Sequence, residues 1–339
     1  MLDAYRQGFQ PSNIIGKIDK DVKSMIADKL STAKNVAFVN STWIEHDDLL
    51  QSIKNYDTVF VYSGPDWEST NDTIGFCGPS ATTRRMAHLC LQKNNKNVVH
   101  IGNTYGKNYF SYWLYFVYKN LHNFLPDNFN PTLNLNHRTY MCLNRKPHSH
   151  RVELVEKLHS KSLLDKGYVT LGFDKHSQKQ TTLKLPLTLE ADKDYTLGPE
   201  ISGDVGIPND ITTLGNNAIW CDHFLNVVTE TVVHSNVFVS EKVYKPILGL
   251  RPFVILGDNK VYDVLHDFGL DTFDDVFGDW YKNKNYKQRI NSIVNLIKNL
   301  ETAGHKDRFA LYKKLEHRLI QNRKQLIEQA EKFDIKVNL

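Results

Sequence analysis

Short, continuous apolar runs alternate along this chain with longer segments in which apolar side chains return at helical spacing. In the first part the runs are 34–40 (KNVAFVN), 57–63 (DTVFVYS) and 97–102 (NVVHIG). Each has the length and β-branched content of a buried strand. Helical segments are predicted from about Thr42, over 79–93, and over 109–124, where apolar residues run almost all round. Strands separated by helices of about ten to fifteen residues predict a parallel sheet covered on both faces.

The pattern restarts after 125–134 (LPDNFNPTLN), whose Pro and Asn content marks a linker. Strands are then predicted over 137–144, 167–171, 226–233 and 252–257, and helices over 149–159, Glu241–Leu248, Lys260–Asp267, 284–300 and 305–332. Residues 174–218 are polar and carry no clear period. In the last helix Leu311, Leu315, Leu319 and Leu326 share a face, while Lys313, Lys314, Arg318, Arg323 and Lys324 read as a solvated one. The fold expectation is α/β with two Rossmann-like halves facing across a cleft and a long C-terminal helix. The boundaries drawn are 1–130, 131–310 and 311–339, the last packing back on the first. In open α/β sheets ligands sit at the carboxyl ends of the strands, which directs attention to the loops there.

Composition adds little to this picture. The 339 residues are 41% hydrophobic and 24% charged, with a net charge of +4, which is ordinary for a globular chain and too weakly basic to argue by itself for nucleic acid. Cys77, Cys90, Cys142 and Cys221 are scattered without a CxxC pair, which argues against a zinc ribbon and for a reduced, cytoplasmic protein. The N-terminus lacks the pattern of a signal peptide, and the densest apolar stretch, at about ten residues, is too short to span a bilayer.

Several chemistries lack their motif. GxxxxGK[ST], GxGxxG after a strand, HExxH and GxSxG are all absent. His148 and His150 form an HxH pair with no third ligand nearby, so no metal site is assigned. The carboxylate pairs Asp47-Asp48 and Asp274-Asp275 suit surface or capping roles.

The stretch 238–258 (FVSEKVYKPILGLRPFVILGD) is more specific. Ser240 suits an N-cap, and the helix start behind it offers unpaired backbone N–H groups and a dipole that favour an anion. Lys242 and Lys245, three apart, add positive charge, and Glu241 could accept hydrogen bonds from sugar hydroxyls. That set suits a diphosphate joined to a ribose. It equally suits a plain helix start, with Glu241 against the dipole and both lysines solvated.

The order Glu230-Thr231, then Ser240-Glu241-Lys242, then Gly249 and Pro252-Phe253-Val254 resembles the donor-site signature of GT-B glycosyltransferases, especially the α1,3-fucosyltransferase type. Thr231 stands where that family usually has Asn, and Lys245-Pro246 is unlike the eukaryotic enzymes. The text FGLDTFDD at 268–275 looks like glycosyltransferase-like proteins of bacteriophages and marine viruses. The stretch 141–158 is similar to the fucosyltransferase segment in which an Arg opens the helix after a strand. That likeness implies that Arg151 contacts the donor pyrophosphate, with Arg145 and Lys146 lining the same pocket. The resemblance covers roughly residues 137–275. It implies transfer of a sugar from a UDP- or GDP-sugar to an acceptor hydroxyl, with no cofactor and no metal required.

In the first part, Asp66 and Glu68 flank Trp67 just after a predicted strand, and Glu45 follows another, so these three carboxylates are the candidates for the base that takes the acceptor's proton. A turn role for Asp66 after Gly64-Pro65 is as good a reading. The acceptor expected is a glycan or small molecule. Arg84, Arg85, Lys93 and Lys96, with the phage-like text, raise the alternative of a hydroxymethylated base in viral DNA. A binding protein that retains the donor site without transfer is the third reading.

Overall fold

The computed structural model describes strands at 14–15, 36–40, 58–62, 68–70, 73–75, 97–102 and 109–111, single positions at 114, 117–118 and 120–126, residue 129, and then 131–189, 213–233, 237–282 and 284–331. The chain divides into two compact units, one built on the part before residue 117 and one formed by 117–234 and 240–331.

The first unit contains a parallel sheet. Its strands are β1 (Ile14–Ile15), β2 (Val36–Asn40), β3 (Thr58–Tyr62), β6 (Asn97–Gly102) and β7 (Tyr109–Ser111), in the order β1-β2-β3-β6-β7. The antiparallel pair β4 (Glu68–Thr70) and β5 (Thr73–Gly75) stands apart from it. The three predicted strands are present. The helix expected over 109–124 is corrected at its start: Tyr109–Ser111 pairs in parallel with β6, with His100 opposite Tyr109. Aromatic residues suit a strand edge as well as a helix, and an all-round apolar run carries no period to decide between them. Leu114, Val117 and Tyr118 are helical, as is α1 (Leu121–Phe124). The helices expected near Thr42 and over 79–93 lie outside the described residues.

The second unit is a four-stranded parallel sheet with the order β11-β10-β8-β9, made of β8 (Arg138–Cys142), β9 (Gly167–Val169), β10 (His223–Thr229) and β11 (Phe253–Leu256). All seven residues of β10 are buried, as a strand paired on both edges and covered on both faces requires. The helices are α2 (Ser149–Ser160), α3 (Lys175–Gln178), α4 (Asn217–Cys221), α5 (Glu241–Leu248), α6 (Lys260–Asp267), α7 (Asp274–Phe277) and α8 (Tyr286–Glu331). The bounds of α5 and α6 are those predicted. The polar segment after residue 174 includes α3 and α4, too short to leave a period in the sequence. The strand expected over 226–233 ends at Thr229, four residues earlier.

Val243, Tyr244, Ile247 and Leu248 of α5 are buried, each aliphatic among them contributing roughly 1.5–3 kcal/mol by leaving water. Gly249 ends α5 against the ring of Trp220, where a Cβ would stand 2.1 Å from the nearest ring carbon. Helix α8 packs on α2, α5 and strands β8, β10 and β11, and bends at Gly304, whose φ of 82° and ψ of 167° are outside the helical region. Arg318, expected on the solvated face, instead grips Asp271 at 2.5 and 2.9 Å and Asp275 at 2.9 and 2.7 Å. Asp274 accepts from Thr272 and Tyr281. No helix of the described residues is long and apolar enough to cross a membrane, and no group of three or more metal-ligating side chains occurs among them.

Candidate donor site

From β8 the chain passes through α2 to β9 on one side, whereas β10 lies on the other. Beyond the carboxyl ends of β8 and β10 the connections therefore diverge, leaving the crevice where open α/β sheets hold their ligands. Two loops open there. Residues 143–148 lead from β8 into α2, and the segment after Thr229 leads to Ser240 and α5.

Glu230 follows β10 directly and is fully buried. One of its carboxylate oxygens accepts from the Ser240 backbone N–H at 2.8 Å, and the Ser240 hydroxyl lies 2.9 and 2.8 Å from the two oxygens. The Ser240 Oγ accepts in turn from the backbone of Lys242, which makes Ser240 the N-cap of α5, and from the Lys242 ammonium at 3.0 Å. That ammonium also lies 3.1 Å from Glu241 Oε1. Burial pushes the Glu230 carboxyl above its ordinary value, Lys242 opposes that shift, and Glu241 adds to it.

The start of α2 meets the same residues. His150 Nε2 donates to the Glu230 carbonyl at 2.8 Å. Arg151 is 3% exposed, and its two terminal nitrogens donate to the carbonyls of Lys146 at 3.0 Å and Thr229 at 2.8 Å. Burial lowers its pKa to about 10, against the pull of Glu230, so it stays cationic near neutrality. His148, at the N-cap position of α2, stacks on His150 with ring centroids 5.8 Å apart. Burial, reinforced by Arg151, Lys146 and Lys242, lowers the His148 pKa to about 4, so the ring is neutral at physiological pH.

Of the sequence candidates, Arg151, Glu230, Ser240, Glu241 and Lys242 thus meet at the carboxyl end of β10. Arg145 lies on the loop after β8, half-buried, and Lys245 one turn into α5, also half-buried. Three placements differ from expectation. Arg151 does not present a free fork: it ties the 143–148 loop to the end of β10. Glu230 is turned inward onto Ser240. Glu241 is 4% exposed, with Oε1 on Lys242 and Oε2 lacking a hydrogen-bond partner among the described residues, so it is not displayed to solvent. The physical reason is shared. A charged side chain at the end of a buried strand or in the first turn of the helix beside it is drawn into the core, where backbone carbonyls, N–H groups and caps satisfy it. Asp66 and Glu45 lie outside the described residues, as do Arg84, Arg85, Lys93 and Lys96, and Glu68 opens β4.

Asn144 was not singled out by the sequence. It is fully buried, its amide donates to the Thr170 carbonyl at 3.0 Å, and its Oδ1 accepts from the Thr229 hydroxyl at 2.5 Å. One side chain thereby pins the ends of β8, β9 and β10. An Asn closing an apolar strand was the available signal.

No protein-family model and no curated protein matches this sequence. Among solved structures, one described as "Crystal Structure of alpha1,3-Fucosyltransferase" is similar over 99% of this chain and 98% of that one, at 13% identity and a TM-score of 0.36.

Proposed function

We propose that the protein is a glycosyltransferase that takes a nucleotide-sugar donor at the carboxyl end of the second sheet. The observation that carries this reading is the meeting of Arg151 and Lys242, from two different helix starts, around Glu230 at the diverging ends of β8 and β10. Helix N-termini and ammonium groups there oppose the charge of a diphosphate and would stabilise it as a leaving group. Lys242, with its side chain 32% exposed, is the cation that faces the donor. Arg151 acts as a positioning residue that holds the 143–148 loop in place, so that Arg145 and Lys146 frame the same anion. The motif order from Glu230 to Val254 supports a donor of the UDP- or GDP-sugar type and an acceptor hydroxyl. Asp66, Glu68 and Glu45 are the proposed candidates for the base.

A thermal-shift panel of UDP-, GDP-, CMP- and TDP-sugars tests this, because a ligand that binds only the native state raises the melting temperature. We expect one nucleotide class to raise it in a saturable way and Lys242→Ala to blunt the rise. No response to any donor at millimolar concentration, or a response indifferent to Lys242→Ala, would remove the assignment.

A further inference from the structure

A second cationic site lies at the other end of the sheet. Arg251 stands two residues before β11, at the amino-terminal edge, and is completely buried. Its Nη1 donates to the carbonyls of Leu250 at 2.7 Å and Pro131 at 3.1 Å and to the Tyr312 hydroxyl at 3.2 Å. The guanidinium also lies over the Tyr312 ring, 5.1 Å from its centroid. Its Nε and Nη2 are buried and have no acceptor among the described residues. Arg323, on α8 like Tyr312, is in the same condition: Nε and Nη2 are buried without an acceptor. Neither arginine makes an ion pair with a carboxylate among the described residues. Burial, with repulsion from Arg251, lowers the Arg323 pKa to about 10, so it is cationic near neutrality, and burial also lowers Arg251 from its ordinary value.

Buried N–H groups are almost always satisfied, and buried charge is almost always paired. A fully buried Arg251 and a half-buried Arg323, whose charges repel and whose four buried Nε and Nη2 atoms leave six N–H groups unused with no carboxylate among the described residues, break both rules at once. Guanidinium forks are matched by the oxygens of a phosphate or a carboxylate. We propose that Arg251 and Arg323 form a binding site for a small oxyanion, of the phosphate or carboxylate class, distinct from the donor site. A bound anion there would tie the 131 segment, the start of β11 and the second arm of α8 together.

Inorganic phosphate is the first probe, sodium acetate the second, and sodium chloride at matched ionic strength the control. The measurement is the melting temperature, in a Lys242→Ala background so that phosphate at the proposed donor site does not contribute. Arg323 holds no hydrogen bond in the described structure, so Arg323→Gln leaves the fold standing, unlike a change at Arg251. We expect phosphate or acetate to raise the melting temperature of Lys242→Ala by several degrees with saturation, chloride to leave it unchanged, and the added Arg323→Gln to abolish the rise. Whichever anion acts identifies the class. No saturable rise with either anion, or an equal rise after Arg323→Gln, overturns the site. A phosphate rise seen in the native chain but lost in Lys242→Ala also overturns it, while leaving the donor site intact.

Discussion

Glu230 and Ser240, ten positions apart in sequence, are joined by contacts of 2.8, 2.9 and 2.8 Å that fix the start of α5 against the end of β10. Both residues are fully buried. Ser240→Ala removes the helix cap and leaves the Glu230 carboxyl short of a partner. The cap is worth about 1 kcal/mol and the unsatisfied carboxyl about 1–3 kcal/mol, so stability should fall by about 2–4 kcal/mol. A urea unfolding curve reads this as a lower midpoint at unchanged slope.

Lys242→Ala should weaken donor binding by roughly ten- to a hundredfold, the worth of one charge-assisted contact. It also strands the buried Glu241, so some melting temperature is lost. Glu241→Gln added to Lys242→Ala should restore much of that stability without restoring affinity. Calorimetric titration of the responding nucleotide-sugar, alongside melting curves, separates the two effects.

Arg151→Lys should act mainly on stability. A single ammonium cannot span the Lys146 and Thr229 carbonyls that the fork now bridges. Breaking such a buried, hydrogen-bonded cation costs about 3–5 kcal/mol. Unfolding midpoints report the loss. A fully stable variant with reduced affinity would instead make Arg151 a direct donor ligand.

His148 makes the stability depend on acid. Its pKa is about 4 in the fold against an ordinary 6.5, so between those values the unfolded chain binds more protons than the folded one. Stability is therefore full above pH 6.5 and is lost as the pH falls toward 4. His148→Asn should flatten that decline. His137 and His223 shift in the same direction, so a residual slope stays. Urea midpoints measured from pH 4 to 7.5 give the comparison.

The strands were readable in the sequence wherever an apolar run was short and bounded by Gly, Asn or Asp, as at Phe253–Leu256. Helix α5 was readable because Ser240 caps it and Gly249 closes it. The segment Tyr109–Ser111 was not, because an unbroken aromatic run has no period. Within the site, the sequence marked the cluster but not its geometry. Glu241, Glu230 and Arg151 carry charges that composition places at a surface, and only tertiary contacts show that all three point inward. Asn144 escaped notice because its role depends on Thr170 and Thr229, far away in sequence, and the HxH pair marked His148 without showing the burial, the nearby Arg151 and the distant Lys242 that lower its pKa.

The bend at Gly304 has a consequence for how the chain can be altered. Forty-six residues of unbroken helix would make a rod of about 69 Å, far longer than the sheet it covers. One residue with a backbone geometry open only to glycine breaks that rod, so that Glu301 before it accepts from Thr139 of β8 while Tyr312 after it meets Arg251 beside β11. A side chain at 304 would favour the straight rod, and the arm carrying Tyr312 and Arg318 would lose its hold on the sheet.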